Sequence, residues 1–146
     1  MRYYFVLIIA LFFLSTLGAQ EEANNNHQKK ETGKTFAPGD NLKNPFTDKI
    51  SSALDGKIIF IQNCASCHGN EGLGNGPAGA SLIPKADNLT SDEIAKRSDG
   101  EVFLNISDGA SGVMIPWKFI LSENQRWHLV DYIRQLRENQ NSGVLK

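Results

Sequence analysis

Apolar positions divide the chain into distinct stretches. Tyr3 to Leu14 is an unbroken apolar run behind Met1–Arg2, and it gives way at Ser15-Thr16-Leu17-Gly18-Ala19-Gln20 to small and polar residues. A short basic start, an apolar run shorter than the roughly 20 residues that span a bilayer, and a small-residue exit together predict a secretory signal peptide cut near Ala19. The rival reading is an uncleaved membrane anchor, because Leu17 is large for its place before the cut. Either way the rest of the chain is expected outside the cytoplasm, in the periplasm. Residues 20–48 then carry only Ala23, Phe36, Ala37, Leu42 and Phe46 as apolar residues, around the aperiodic run Asn24-Asn25-Asn26-His27-Gln28-Lys29-Lys30. That composition predicts a flexible polar tail. Asn44-Pro45-Phe46 is where the chain is expected first to dock on the folded part.

Beyond residue 48 the apolar positions take a helical period. A first helix is expected over 52–63, with Ser52 as its cap and Ala53, Gly56, Phe60 and Cys64 on one face. Glycine inside a helix costs about 1 kcal/mol relative to alanine, so Gly56 implies close approach of another element. A second helix follows the capping-box pattern Ser98-Asp99-Gly100-Glu101, carries Val102, Phe103 and Ile106 on one face, and stops at Gly109. A third follows Ser122-Glu123-Asn124-Gln125. Its stripe is Leu129, Tyr132, Ile133 and Leu136, with Arg126, Asp131, Arg134 and Glu138 expected outside. A shorter helical turn is expected after Thr90. No segment alternates with period two for long enough to demand a sheet. The reading is an all-α domain over residues 49–140, a short tail at 141–146, and long loops at 69–89 and 109–121. Loops of that length in a small domain need something to lie against.

Composition sharpens this picture at two points. The 146 residues suffice for one domain, and 15 Lys+Arg against 16 Asp+Glu give a net charge of −1. A nucleic-acid binder would need a basic face, so no nucleic-acid partner is expected. Outside residues 1–19 only about one-third of the chain is apolar, which makes a small core that an additional packing partner would help.

That partner is indicated by Cys64-Ala65-Ser66-Cys67-His68, a C-x-x-C-H run containing both cysteines of the chain. This is the attachment pattern of a c-type haem. Two thiols three residues apart at a helix end reach two vinyl groups on one porphyrin edge, and the following histidine comes to lie beneath the iron. A thioredoxin-type C-x-x-C would follow a strand in a βαβ unit, and none is expected here. A zinc site needs about four ligands, and Cys64, Cys67 and His68 would have to recruit His128 without a second close-spaced pair. For the opposite side of the iron, Met114 is the one methionine left after Met1. It sits in Gly112-Val113-Met114-Ile115-Pro116-Trp117, a loop stiffened by Pro116. The alternatives are a buried gap-filling role for Met114, and His128 or His27 as ligand.

These features, in this order, resemble the bacterial monohaem class I c-type cytochromes over about residues 46–140. The resemblance implies the class I cytochrome c fold around one haem c attached through Cys64 and Cys67, with His68 and Met114 as the iron ligands. It implies that Gly56 and Phe60 meet Leu129 and Tyr132 where the first and last helices cross. The run Gly69 to Pro77 is similar to the family's loop after the haem motif, where a proline carbonyl accepts the histidine ring N–H. Pro77 is the candidate and Pro84 the reserve. Trp117 and Lys118 are candidates to contact the haem or its propionates.

The implied function is one-electron transfer between redox protein partners, a donor and an acceptor, through an exposed haem edge. A histidine–methionine pair leaves no open position for substrate and raises the potential. The alternatives are a haem c subunit of a larger respiratory or dehydrogenase complex, with a membrane tether through residues 1–19 if these are retained, and a haem enzyme or sensor with an open distal site. As a free carrier it would be a monomer.

Overall fold

The computed structural model describes residues 39–143; the apolar segment 1–19, the polar stretch 20–38 with His27, and residues 144–146 lie outside the described residues. The helices are α1 (Lys49–Asn63), α2 (Ala65–His68), α3 (Asp92–Lys96), α4 (Asp99–Asp108) and α5 (Glu123–Asn141), with single tight turns at Gly79–Ser81 and Trp117–Phe119. Among the described residues there is no strand, only an isolated bridge between Ala110 and Met114. The described residues are therefore all-α.

Side-chain caps set where these helices begin. Ser98 and Glu101 close a reciprocal capping box on α4, as Ser122 and Gln125 do on α5. Ser91 caps the short α3. The expectation for α1 needs correction. Asp48, not Ser52, is its cap, accepting the Ser51 N–H at 3.0 Å, so the helix starts at Lys49. Ser52 lies one turn in, buried on the face toward α5.

The core forms where α1 crosses α5. Phe60 meets Tyr132 edge to face, with ring centroids 5.2 Å apart, and Leu129 is buried beside them. Gly56 makes the crossing close. A Cβ placed on it would lie 2.0 Å from the His128 carbonyl oxygen and 2.9 Å from the Tyr132 Cβ. Backbone cannot yield as a side-chain tip can, so Gly56→Ala should lose far more to the clash than the about 1 kcal/mol it gains in helix propensity. A net destabilisation of roughly 2 kcal/mol or more is expected in denaturant titration of the holoprotein. A neutral or stabilising result would show that the crossing can open.

Two groups expected on the outer side of α5 are instead built into the fold. Asp131 is only 4% exposed. It accepts from Ser52 Oγ at 2.5 Å, Asn44 Nδ2 at 2.8 Å and Lys49 Nζ at 3.0 Å. A carboxylate survives burial when its lone pairs are filled and a cation stands beside it. Ser52 donates its one proton to Asp131, so it accepts from His128 Nδ1 at 2.8 Å. The other is Arg134. It donates to the Ile94 and Arg97 carbonyls and pairs with Asp99, while Arg137 reaches the Thr90 carbonyl and Asp92. These two arginines tie the 90–99 segment to α5.

The docking expected at Asn44-Pro45-Phe46 is present, so the folded part begins ahead of residue 49. Residues 39–48 pack on the domain: Asn44 holds Asp131, and Phe46 stacks on the His128 ring at 4.2 Å. The segment docks through one polar bond at Asn44 and one aromatic stack at Phe46, which also packs against the core.

Candidate cofactor site

The C-x-x-C-H run is a continuation of α1. The Cys64 N–H bonds the Phe60 carbonyl at 2.8 Å, and the Cys64 carbonyl then accepts from Cys67 and His68 at 3.1 and 2.9 Å. Cys64 and Cys67 are thus one helical turn apart, and His68 follows directly. The two cysteines form no disulfide with each other, and both are half-buried. Burial, and secondarily the neighbouring Cys67, pushes the Cys64 thiol up to about 12, so it is neutral at physiological pH. A reactive thiolate of the thioredoxin kind requires the opposite shift.

The loop that follows is zipped onto this turn. The Gly74, Gly76 and Ala78 amides bond the carbonyls of His68, Cys67 and Ser66 in succession, at 2.8, 3.1 and 2.9 Å. These are end-of-helix acceptors with no partner inside the helix. Gly76 is required there, because a Cβ would lie 2.4 Å from the Ser66 carbonyl oxygen. The loop therefore passes behind the cysteines and fixes their backbone.

That path corrects the assignment of the histidine's second partner. His68 Nδ1 lies 3.0 Å from the Asp87 carbonyl oxygen. A carbonyl can only accept, so Nδ1–H donates and Nε2 keeps the lone pair a metal would take. Pro77 is exposed in the loop behind the attachment turn and is not part of the cavity wall. Pro84 does line the cavity, but the carbonyl bonded to the ring is that of Asp87.

On the other side, Met114 is held by a tight reversal. Its N–H donates to the Ala110 carbonyl at 3.0 Å, and its carbonyl accepts from Ala110 at 3.3 Å. Lys118 pairs with Asp108 at 2.8 Å, fastening the 109–121 loop to the end of α4. Lys118 is thus engaged away from the cavity, whereas Trp117 lines it.

The long loops lie against one cavity of about 310 Å³. Cys64, Cys67 and His68 line it together with Met114, Trp117 and apolar side chains including Phe60, Ile94, Val102, Ile106, Leu129 and Ile133. Lys85, Arg97 and Asn105, unnoticed in the sequence, line it too. Asn105 stands three residues from Val102 and one before Ile106, a polar residue beside an apolar face, and that was the available signal. His128 is elsewhere, against Phe46 and Ser52, and so is not with the cysteines as a zinc ligand or above the cavity as an iron ligand. A largely apolar cleft with two cysteine side chains and an oriented imidazole on its wall fits a covalently held haem.

Fold and site together define a c-type cytochrome domain. The cytochrome c family profile matches residues 53–137, and the chain belongs to that family. Its cofactor is haem c, covalently bound through Cys64 and Cys67. The chain is 35% identical over 91 residues to the cbb3-type cytochrome c oxidase subunit FixP of Bradyrhizobium diazoefficiens, a match covering 62% of this chain and 29% of that protein. A solved structure titled Kuenenia stuttgartiensis reducing HAO-like protein complex Kustc0457/Kustc0458 is similar at 26% identity and a TM-score of 0.54, covering 75% of this chain and 53% of that one. A c-type cytochrome, KustC0563, aligns at 27% identity and a TM-score of 0.48 over 57% of this chain and 98% of its own. The chain thus spans well under two-thirds of the oxidase subunit it matches.

Proposed function

We propose that this chain is an extracytoplasmic electron carrier whose haem iron is held by His68 and Met114, working as a component of a redox complex. The observation that carries the reading is that Met114 lines the same cavity as Cys64, Cys67 and His68. When bound, haem c supplies a one-electron iron couple. The protein's part is to hold that couple still. Asp87 orients the His68 ring through its carbonyl, and the Ala110 hairpin fixes the backbone at Met114. A thioether opposite imidazole favours reduced iron and leaves no site for substrate. Lys85 on the cavity wall brings positive charge suited to the haem's carboxylates, as does Arg97, which also pairs with Glu93 at 2.8 Å. Ile115, 51% exposed, lines the cavity, and Ile83, 92% exposed, stands between the lining residues Leu82 and Pro84; both are apolar ground for transient docking of a donor or acceptor.

Membership in a complex is supported by the relative named as an oxidase subunit and by the neighbour named as part of an HAO-like complex. Export is supported by the Tyr3–Leu14 run and by the thioether chemistry, which keeps the cofactor with a protein outside the cell's reducing interior.

A carbon monoxide titration of the reduced holoprotein tests the reading. The expected result is no binding at neutral pH, with reversible one-electron potentiometry. Ready carbon monoxide binding would indicate an open distal site and favour an enzyme or sensor.

A further inference from the structure

The outer face of α1 carries a second apolar pattern. Ile50, Leu54, Ile58 and Ile61 are 72%, 57%, 60% and 45% exposed, while Ser52, Ala53, Gly56 and Phe60 on the opposite face are buried. At 3.6 residues per turn the four exposed residues fall within a stripe about 80° wide and about 16 Å long. Lys57 borders it on one side, and Asp55 and Gln62 border it on the other, all exposed. Four large aliphatic side chains in one stripe approach the about 300–600 Å² at which a monomer's largest apolar patch is usually functional.

The occupant can be narrowed by composition and charge. The stretch 20–38 offers only Ala23, Phe36 and Ala37, too little to cover the stripe. A bilayer surface favours a fringe of Lys and Arg, whereas this border carries one base and one acid. A second copy matches both the stripe and its borders. We infer that two copies pair through α1, with the helices parallel and the stripes face to face about a twofold axis.

Leu54, Ile58 and Ile61 follow the four- and three-residue steps of a helix–helix seam, so each meets its own equivalent. In the parallel arrangement the Lys57 flank of one copy faces the Asp55–Gln62 flank of the other. Antiparallel packing would set Lys57 against Lys57 and Asp55 against Asp55. The stripe lies on the side of α1 away from the core, so the cavity of each copy stays open to redox partners. Two such patches bury roughly 600–1,200 Å², at or below the about 1,200 Å² from which specific interfaces start, so the dimer is weak and concentration-dependent. The pairing is independent of the ligand assigned to Met114.

Sedimentation equilibrium of the haem-loaded protein, purified with its N-terminus as the cell leaves it, tests this. The expected result is a monomer–dimer equilibrium with a dissociation constant on the order of 100 μM. Leu54→Glu should weaken it at least about tenfold, with visible spectrum and thermal midpoint unchanged, as befits an exposed site. Lys57→Glu should also weaken it, and Lys57→Glu with Asp55→Lys should restore it. A protein that stays monomeric to about 1 mM, or a dimer indifferent to both Leu54→Glu and Ile58→Glu, overturns the pairing. Failure of the charge swap overturns the parallel arrangement. A monomer that binds phosphatidylglycerol vesicles through Leu54 would replace the second copy with a lipid surface.

Discussion

Met114→Ala is expected to change the iron in three ways at once. The methionine–iron charge-transfer band at the red end of the oxidised spectrum should vanish. The midpoint potential should fall by on the order of 0.2 V, a fraction of the roughly 0.8 V over which axial ligands set haem potentials. Carbon monoxide should bind the reduced protein readily. The three share one cause. Water or a stray base replacing the thioether is a harder ligand, and it stabilises oxidised iron. A thioether sulfur has no proton to lose, so in the wild type the band should persist across neutral pH. His128→Ala is the control, since that ring packs on Phe46 and Ser52 away from the cavity. If the band is missing from the wild type, or survives in Met114→Ala, the ligand assignment is wrong.

The second large effect is on folding. Cys64→Ala combined with Cys67→Ala, which prevents covalent attachment, should leave a chain with little native helix and no cooperative thermal transition. Magnitudes decide this. The cavity walls are core side chains, among them Phe60, Ile94, Val102, Ile106, Leu129 and Ile133. An unfilled cavity costs about 24 cal/mol per Å³, so about 310 Å³ corresponds to about 7 kcal/mol as an upper figure, because the cleft is open on one side. The whole stability of a domain is about 5–15 kcal/mol, and a chain only about one-third apolar beyond residue 19 sits at the low end. Far-UV circular dichroism of the double variant checks it. A native-like helical spectrum with a sharp melt would show that the protein core suffices without haem.

The helix starts at Ser98 and Ser122 were legible because a capping box is a contact between residues three apart. The same local chemistry misled at α1. Ser52 has a capping side chain, but Asp48 has one too, and only the packing of α5 decides that Ser52 is turned inward. Asp131 and Arg134 look like outward residues on a helical wheel. They are drawn in by groups far along the chain, Asn44 at one and the Ile94 and Arg97 carbonyls at the other. The stripe at Ile50, Leu54, Ile58 and Ile61 is not marked by periodicity for a related reason. Both faces of α1 are apolar, and periodicity alone does not say which of them the fold covers.

By itself the sequence determined the attachment chemistry, since two cysteines and a histidine within five residues act through one helical turn. It also made Met114 the methionine available to the distal side, because the chain has only one besides Met1. Tertiary structure alone decided what orients His68. Every residue has a carbonyl, and no side-chain signal marks the one that will serve. The loop zipped behind the cysteines carries Pro77 away and leaves Asp87 beside the ring. Contacts within a turn are written in spacing, whereas contacts between main-chain groups brought together by a loop depend on where the chain reverses.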